Sequence, residues 1–218
     1  MRRLIPGLLV VAAAAGFSIW AYPQLPEQVA THFDMGGHPN GWSSPFFAAV
    51  LMPAIGLVIA AVFTVLPKID PRGANYEKFG PTYWTVANAV MILIAAIHVL
   101  ALGKALGWPI NMNRVAPLGI GALFILLGSL MTRIQPNWFI GIRTPWTLSS
   151  DAVWRKTHRF GGIAFVIAGV CMAGSALLTA SWALAVALGF AGAAALSSVV
   201  YSYVVWKAEQ ASRTAAGS

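Results

Sequence analysis

The sequence predicts an all-α integral membrane protein with six transmembrane helices and both termini in the cytoplasm, on three observations. Of its 218 residues, 58% are hydrophobic and only 9% charged, against about 25% charged in a soluble domain. The apolar residues fall into blocks of about 20, the length that crosses a hydrocarbon core of roughly 30 Å as a helix. Charge placement is the third. With the N-terminus inside, the inner side holds Arg2, Arg3, Lys68, Arg72, Lys78, Arg133, Arg143, Arg155, Lys156, Arg159, Lys207 and Arg213, and the outer side only Lys104 and Arg114. Lys and Arg near span ends resist translocation, so this asymmetry fixes the orientation. It also accounts for the net charge of +8 without phosphate binding, and no direct nucleic-acid partner is expected.

The spans are predicted at residues 4–22, 46–66, 83–103, 115–133, 160–180 and 183–206. The first follows a basic start and ends in Trp20 and Tyr22; a secretory signal core runs about 7 to 15 residues without such an aromatic end, so an uncleaved span is expected. Trp20, Tyr22, Phe46, Trp108 and Trp182 mark outer ends, and Tyr83, Trp84, Trp138 and Trp206 inner ones. Span three carries two costly intramembrane polar residues, Asn88 and His98. In spans four to six, Gly119, Gly121, Gly128, Gly169, Gly174, Gly189 and Gly192 allow close helix approach where apolar burial no longer drives association. The lone Cys171 sits in an apolar block and reads as packing. Residues 1–82 form a two-span unit with an outer loop at 23–45, and residues 83–218 a four-span unit with an inner loop at 134–159.

The outer loop contains ATHFDMGGHPNGW. Its prolines stiffen it, and Gly36, Gly37 and Gly41 permit turns. Extended geometry from Gln28 to Phe33 would put Val29, Thr31 and Phe33 on one face and Ala30, His32 and Asp34 on the other, with DMGG bringing His38 back toward that pair. Two readings stay open. One is a shaped partner-recognition loop built on His32, Asp34 and Trp42. The other is a metal site of His32, Asp34, His38 and His98, for which imidazoles and a carboxylate suit zinc, although the spacing of the two loop histidines fits no established zinc pattern.

The inner loop IQPNWFIGIRTPWTLSSDAVWRKTHRFGG is too apolar for a solvated linker. From Ser150 an interfacial amphipathic helix is expected, with Ser149 or Ser150 as N-cap and Asp151 in its first turn. Val153, Trp154, Thr157 and Phe160 would share one face, and Asp151, Arg155, Lys156, His158 and Arg159 the other. The basic residues would contact membrane lipid headgroups or a partner. Serine, Asp151 and His158 occur together, but no nucleophile-elbow pattern accompanies them. The other inner loop, PKIDPRGANYEKFGPTYW, reads as a solvated turn.

Both loops resemble the SdpI-type membrane protein family. In the outer loop, of the DUF1648-like kind, Pro26, His32, Phe33, Asp34, Gly37, Pro39, Gly41 and Trp42 match the family pattern, while Asn40 stands where it has Asp and His38 falls on a variable position. In the inner loop, Asn137, Gly141, Ile142, Arg143, Thr144, Pro145, Trp146, Thr147, Leu148, Trp154, His158 and Gly161 match position by position. The resemblance implies a multi-pass plasma (inner) membrane protein giving immunity to a secreted antimicrobial peptide toxin, with the bound state relayed by retaining a cytoplasmic repressor at the membrane. On that view no catalysis and no cofactor are required. His32, Asp34 and Trp42 would shape an outer recognition surface, and Arg143, Trp146, Trp154 and His158 an inner one. The alternative is a metal-dependent membrane enzyme or small transporter using the outer histidines with zinc.

Overall fold

A computed structural model describes residues 2–34, 38–178 and 182–216. Six helices are long and apolar enough to cross a membrane: α1 (Ile5–Ala21), α2 (Pro45–Ile69), α3 (Tyr76–Ala105), α4 (Met112–Leu130), α6 (Asp151–Ser175) and α7 (Trp182–Ala216). Between α1 and α2 lies an antiparallel hairpin of β1 (Val29–Phe33) and β2 (Pro39–Ser43), and before α6 a short helix α5 (Pro145–Ser149). The expected DMGG reversal, which includes Met35, Gly36 and Gly37, and the connection at 179–181 lie outside the described residues.

The spans are as expected in number, and α2, α3, α6 and α7 run further on the cytoplasmic side than expected. Tyr76, not residue 83, opens α3, and Phe79 leaves helical geometry (φ −127°) two residues before Pro81, as a proline ring requires of the turn before it. The amphipathic segment is capped as expected, the Ser150 hydroxyl accepting from the Val153 N–H with Asp151 in the first turn. It is not a separate interfacial helix: it continues without a break into the fifth span.

Helix α2 contains Pro53 and Pro67. Each lacks an N–H and so orphans the carbonyl four residues earlier, Ala49 or Phe63, where lipid offers no water to replace the bond. Neighbouring helices make both repairs. The Ser18 hydroxyl of α1 lies 2.9 Å from the Ala49 carbonyl, and the Tyr83 hydroxyl of α3 donates to the Phe63 carbonyl at 2.6 Å. Tyr83 is therefore buried, not an interfacial anchor. Asn88 of α3 does similar work at the start of α1, accepting from the Gly7 N–H and donating to the Arg3 carbonyl, both at 2.8 Å. The Gly7 N–H belongs to the first helical turn, which has no intrahelical acceptors. A polar residue inside a span thus caps another helix.

Helices α4 and α6 meet differently. A Cβ on Gly121 would come within 2.6 Å of the Gly169 carbonyl, and one on Gly128 within 2.6 Å of the Gly162 carbonyl. The two backbones touch at both points, with Phe124 stacked on Phe165 between them. Gly174, Gly189 and Gly192 meet nothing within 4 Å and take no part in such contacts. Outward-facing positions such as Leu9, Ile19, Leu57, Ile163 and Leu196 are exposed and apolar, as a lipid-facing surface requires.

Candidate functional site

On the cytoplasmic side, residues 134–144 form no long helix, so their backbone needs partners from elsewhere. Asn137, fully buried, accepts from the Phe139 and Ile140 N–H groups (2.9 and 2.7 Å) and donates to the Gln135 and Ile140 carbonyls (2.9 Å each). One amide thereby writes the turn. Asp70, buried at the end of α2, accepts from the Arg72 N–H (2.7 Å), the Tyr76 hydroxyl (2.8 Å) and the Trp138 N–H (2.9 Å). The segment expected to be a solvated turn is instead a wall of the inner loop. Arg72 extends it, bonding the Leu148 carbonyl and Asp151.

His158 locks the other side of the loop. Its Nε2 accepts from the Ile142 N–H at 3.1 Å and its Nδ1 donates to the Trp154 carbonyl at 2.9 Å, which defines the neutral tautomer with hydrogen on Nδ1. Gly141 is required here twice over: its φ is +107°, and a Cβ would sit 2.4 Å from His158 Nε2. The Trp154 ring stacks on the imidazole and its indole N–H donates to the Ile134 carbonyl. Trp154 and His158 are each 1% exposed, so neither offers a surface to a partner, contrary to expectation. The helical wheel failed for His158 because a residue four beyond Trp154 returns to nearly the same face.

Thr144 caps α5 in a reciprocal box with Thr147 and reaches Ser202 of α7 at 3.0 Å; Trp146 packs on Tyr203. What remains exposed is Arg143, bonded to the Trp138 carbonyl, with Trp138 and the basic residues Arg155, Lys156 and Arg159. Ser150, Asp151 and His158 do not bond one another: Ser150 bonds Glu209, Asp151 pairs with Arg72, and His158 is held by backbone.

On the outer side, the hairpin pairs Val29 with Ser43, Ala30 with Trp42, His32 with Gly41 and Phe33 with Pro39. Irregular register on either side of His32 breaks the expected alternation of faces. Val29 is buried with Ala21, Ala48 and Leu102, which docks the hairpin on the bundle. Phe33 lies under Lys104. His32 packs over Gly41, and Trp42 is exposed. Asp34 accepts from the His38 N–H at 2.8 Å and faces its imidazole at 3.5 Å. His98, 2% exposed, instead bonds Ser18 through Nε2 at 2.7 Å. Among the described residues no three His, Cys, Asp or Glu side chains gather as a metal shell, so His32, Asp34, His38 and His98 do not assemble the site considered from sequence. They border something else. A cavity of about 550 Å³ lies between the hairpin and the outer halves of α2, α3, α4, α6 and α7, lined by residues 29–34, His98 and mostly apolar side chains such as Leu102, Met112 and Met172.

Comparison with known proteins agrees with this two-sided arrangement. Residues 133–202, which include the whole inner loop from Ile134, match the SdpI/YfhL protein family, and residues 9–57, which include the hairpin, match a domain of unknown function (DUF1648). Immunity protein SdpI of Bacillus subtilis (strain 168) is 25% identical over 213 residues, 98% of this chain and 100% of that protein. No solved structure matches. The two family matches at the loops and the similarity along nearly the whole chain support an SdpI-type protein, and its six membrane-spanning helices make it a multi-pass plasma-membrane protein.

Proposed function

We propose that this protein confers immunity to a secreted antimicrobial peptide toxin, engaging it from the outer face. The observation that carries this reading is the similarity to an immunity protein along 98% of the chain. The outer cavity supports it by giving a peptide an entry point beneath an exposed hairpin. A relay to a cytoplasmic repressor is the finer part of the proposal. It is supported by the inner face, where Arg143, Trp138 and the basic start of α6 stay exposed above a rigid frame.

Immunity is tested by expressing the chain in toxin-sensitive cells and challenging them with a panel of secreted peptide toxins. Survival at concentrations that kill control cells is expected for at least one toxin. Killing equal to controls across the panel would remove the assignment.

A further inference from the structure

One hydroxyl hydrogen sets the chemistry of the outer cavity. Ser18 Oγ lies 2.7 Å from His98 Nε2, 2.9 Å from the Ala49 carbonyl and 3.2 Å from the Ala14 carbonyl, with a single hydrogen to give. The Ala14 carbonyl has its ordinary helical partner in the Ser18 N–H. The Ala49 carbonyl lost its own to Pro53. The hydrogen therefore goes to Ala49, and His98 must bring the one in the 2.7 Å bond. In a neutral imidazole, hydrogen on Nε2 leaves an acceptor lone pair on Nδ1. Among the described residues that nitrogen has no hydrogen-bond partner, and His98, 2% exposed, lines the cavity. His158 has the opposite tautomer, with both nitrogens bonded.

The hairpin adds an independent observation. Residues 29–34 all line the cavity, whereas β2 contributes none. Even with the irregular register around His32, a face would bring only some of these residues to the space, so the unbroken run marks an edge. Among the described residues no backbone hydrogen bond reaches Val29–Phe33 from another element. An open edge recognises extended backbone, and a cavity beside it recognises a side chain.

We propose that the cavity holds an extended peptide segment whose backbone pairs with the free edge of β1, while one apolar side chain bearing a hydrogen-bond donor, an indole N–H or a hydroxyl, reaches His98 Nδ1. This deepens the immunity reading and rests on it for the peptide's origin. The volume of about 550 Å³ lies in the usual range for small-ligand sites and suits one or two large side chains. A lipid tail has no donor for Nδ1 and no use for a strand edge.

The test uses the full chain in phosphatidylethanolamine/phosphatidylglycerol nanodiscs and a pooled library of acetylated, amidated heptapeptides. These alternate apolar and small residues around a central Trp, Tyr, Ser, Phe or Leu, and retention is read by mass spectrometry. Trp and Tyr centres are expected to be retained about tenfold over Phe and Leu, which lack the donor, and over Ser, which lacks the apolar bulk. His98→Phe, which keeps a flat ring but presents no acceptor, should erase the preference over Phe and Leu while leaving overall apolar retention. N-methylation of alternate backbone amides should abolish retention. No retention, equal retention of Phe centres, an unchanged preference in His98→Phe, or a phospholipid that the library cannot displace would each overturn the proposal. The preference is internal to each sample, so partial unfolding cannot mimic its loss. Toxin protection by a protein without donor preference refutes the cavity assignment and leaves immunity standing; donor preference without protection does the reverse.

Discussion

The outer hairpin and the inner loop both carry the residues that mark the family, yet they are built in opposite ways. Inside, Asn137, Asp70 and His158 satisfy the backbone of residues 134–144, and the side chains that do so are buried. Outside, the hairpin is anchored mainly through Val29, and His32, Asp34, His38 and Trp42 remain exposed. A shared motif residue can therefore hold a shape or present a surface, and only burial and bonding separate the two.

The largest expected effect that would break this contrast comes from Gly141→Ala. A positive φ and the collision with His158 should together cost on the order of 3 kcal/mol, lowering the thermal midpoint in nanodiscs by roughly 10 °C; an unchanged midpoint would mean that the inner loop is not held as described. Asp70→Ala comes next. It strips three donors of their acceptor and should cost about 2 kcal/mol, whereas Asp70→Asn, which keeps an acceptor oxygen, should recover part of the loss. Equal midpoints for the two variants would count against the Trp138 and Tyr76 bonds. Smallest are the effects of His38→Ala outside and Arg143→Ala inside, each expected within about 2 °C of the parent. A larger drop in either would erase the distinction between frame and surface.

Span number was legible because apolar block length is a local property of the chain, and the Lys/Arg asymmetry that predicts the orientation is local too. The Ser150 cap could be read for the same reason. Asp70 could not: Asp-Pro-Arg-Gly is a good turn sequence, and the Arg72 N–H does close an Asx turn on it, but the decisive donor, Trp138, lies 68 positions away. Residue type and an expected outer position group His98 and His38 as possible ligands, yet one belongs to a buried contact between helices and the other to a hairpin tip. Aromatic type at a span end predicts an interfacial Tyr83. Pro67, sixteen residues earlier, held the information that a hydroxyl was needed, and the sequence does not say which one answers it.

Those prolines bear on how the protein is made. When α1 and α2 have entered the bilayer and α3 has not, Ser18 can already serve the Ala49 carbonyl, while the Phe63 carbonyl waits for Tyr83. Until α3 arrives, the cytoplasmic end of α2 keeps that carbonyl near water or the insertion machinery. Arrival of α3 also delivers Asn88 to the start of α1. The third span thus supplies hydrogen bonds that both N-terminal helices need, and a chain ending before residue 83 lacks the hydroxyl that serves its second helix.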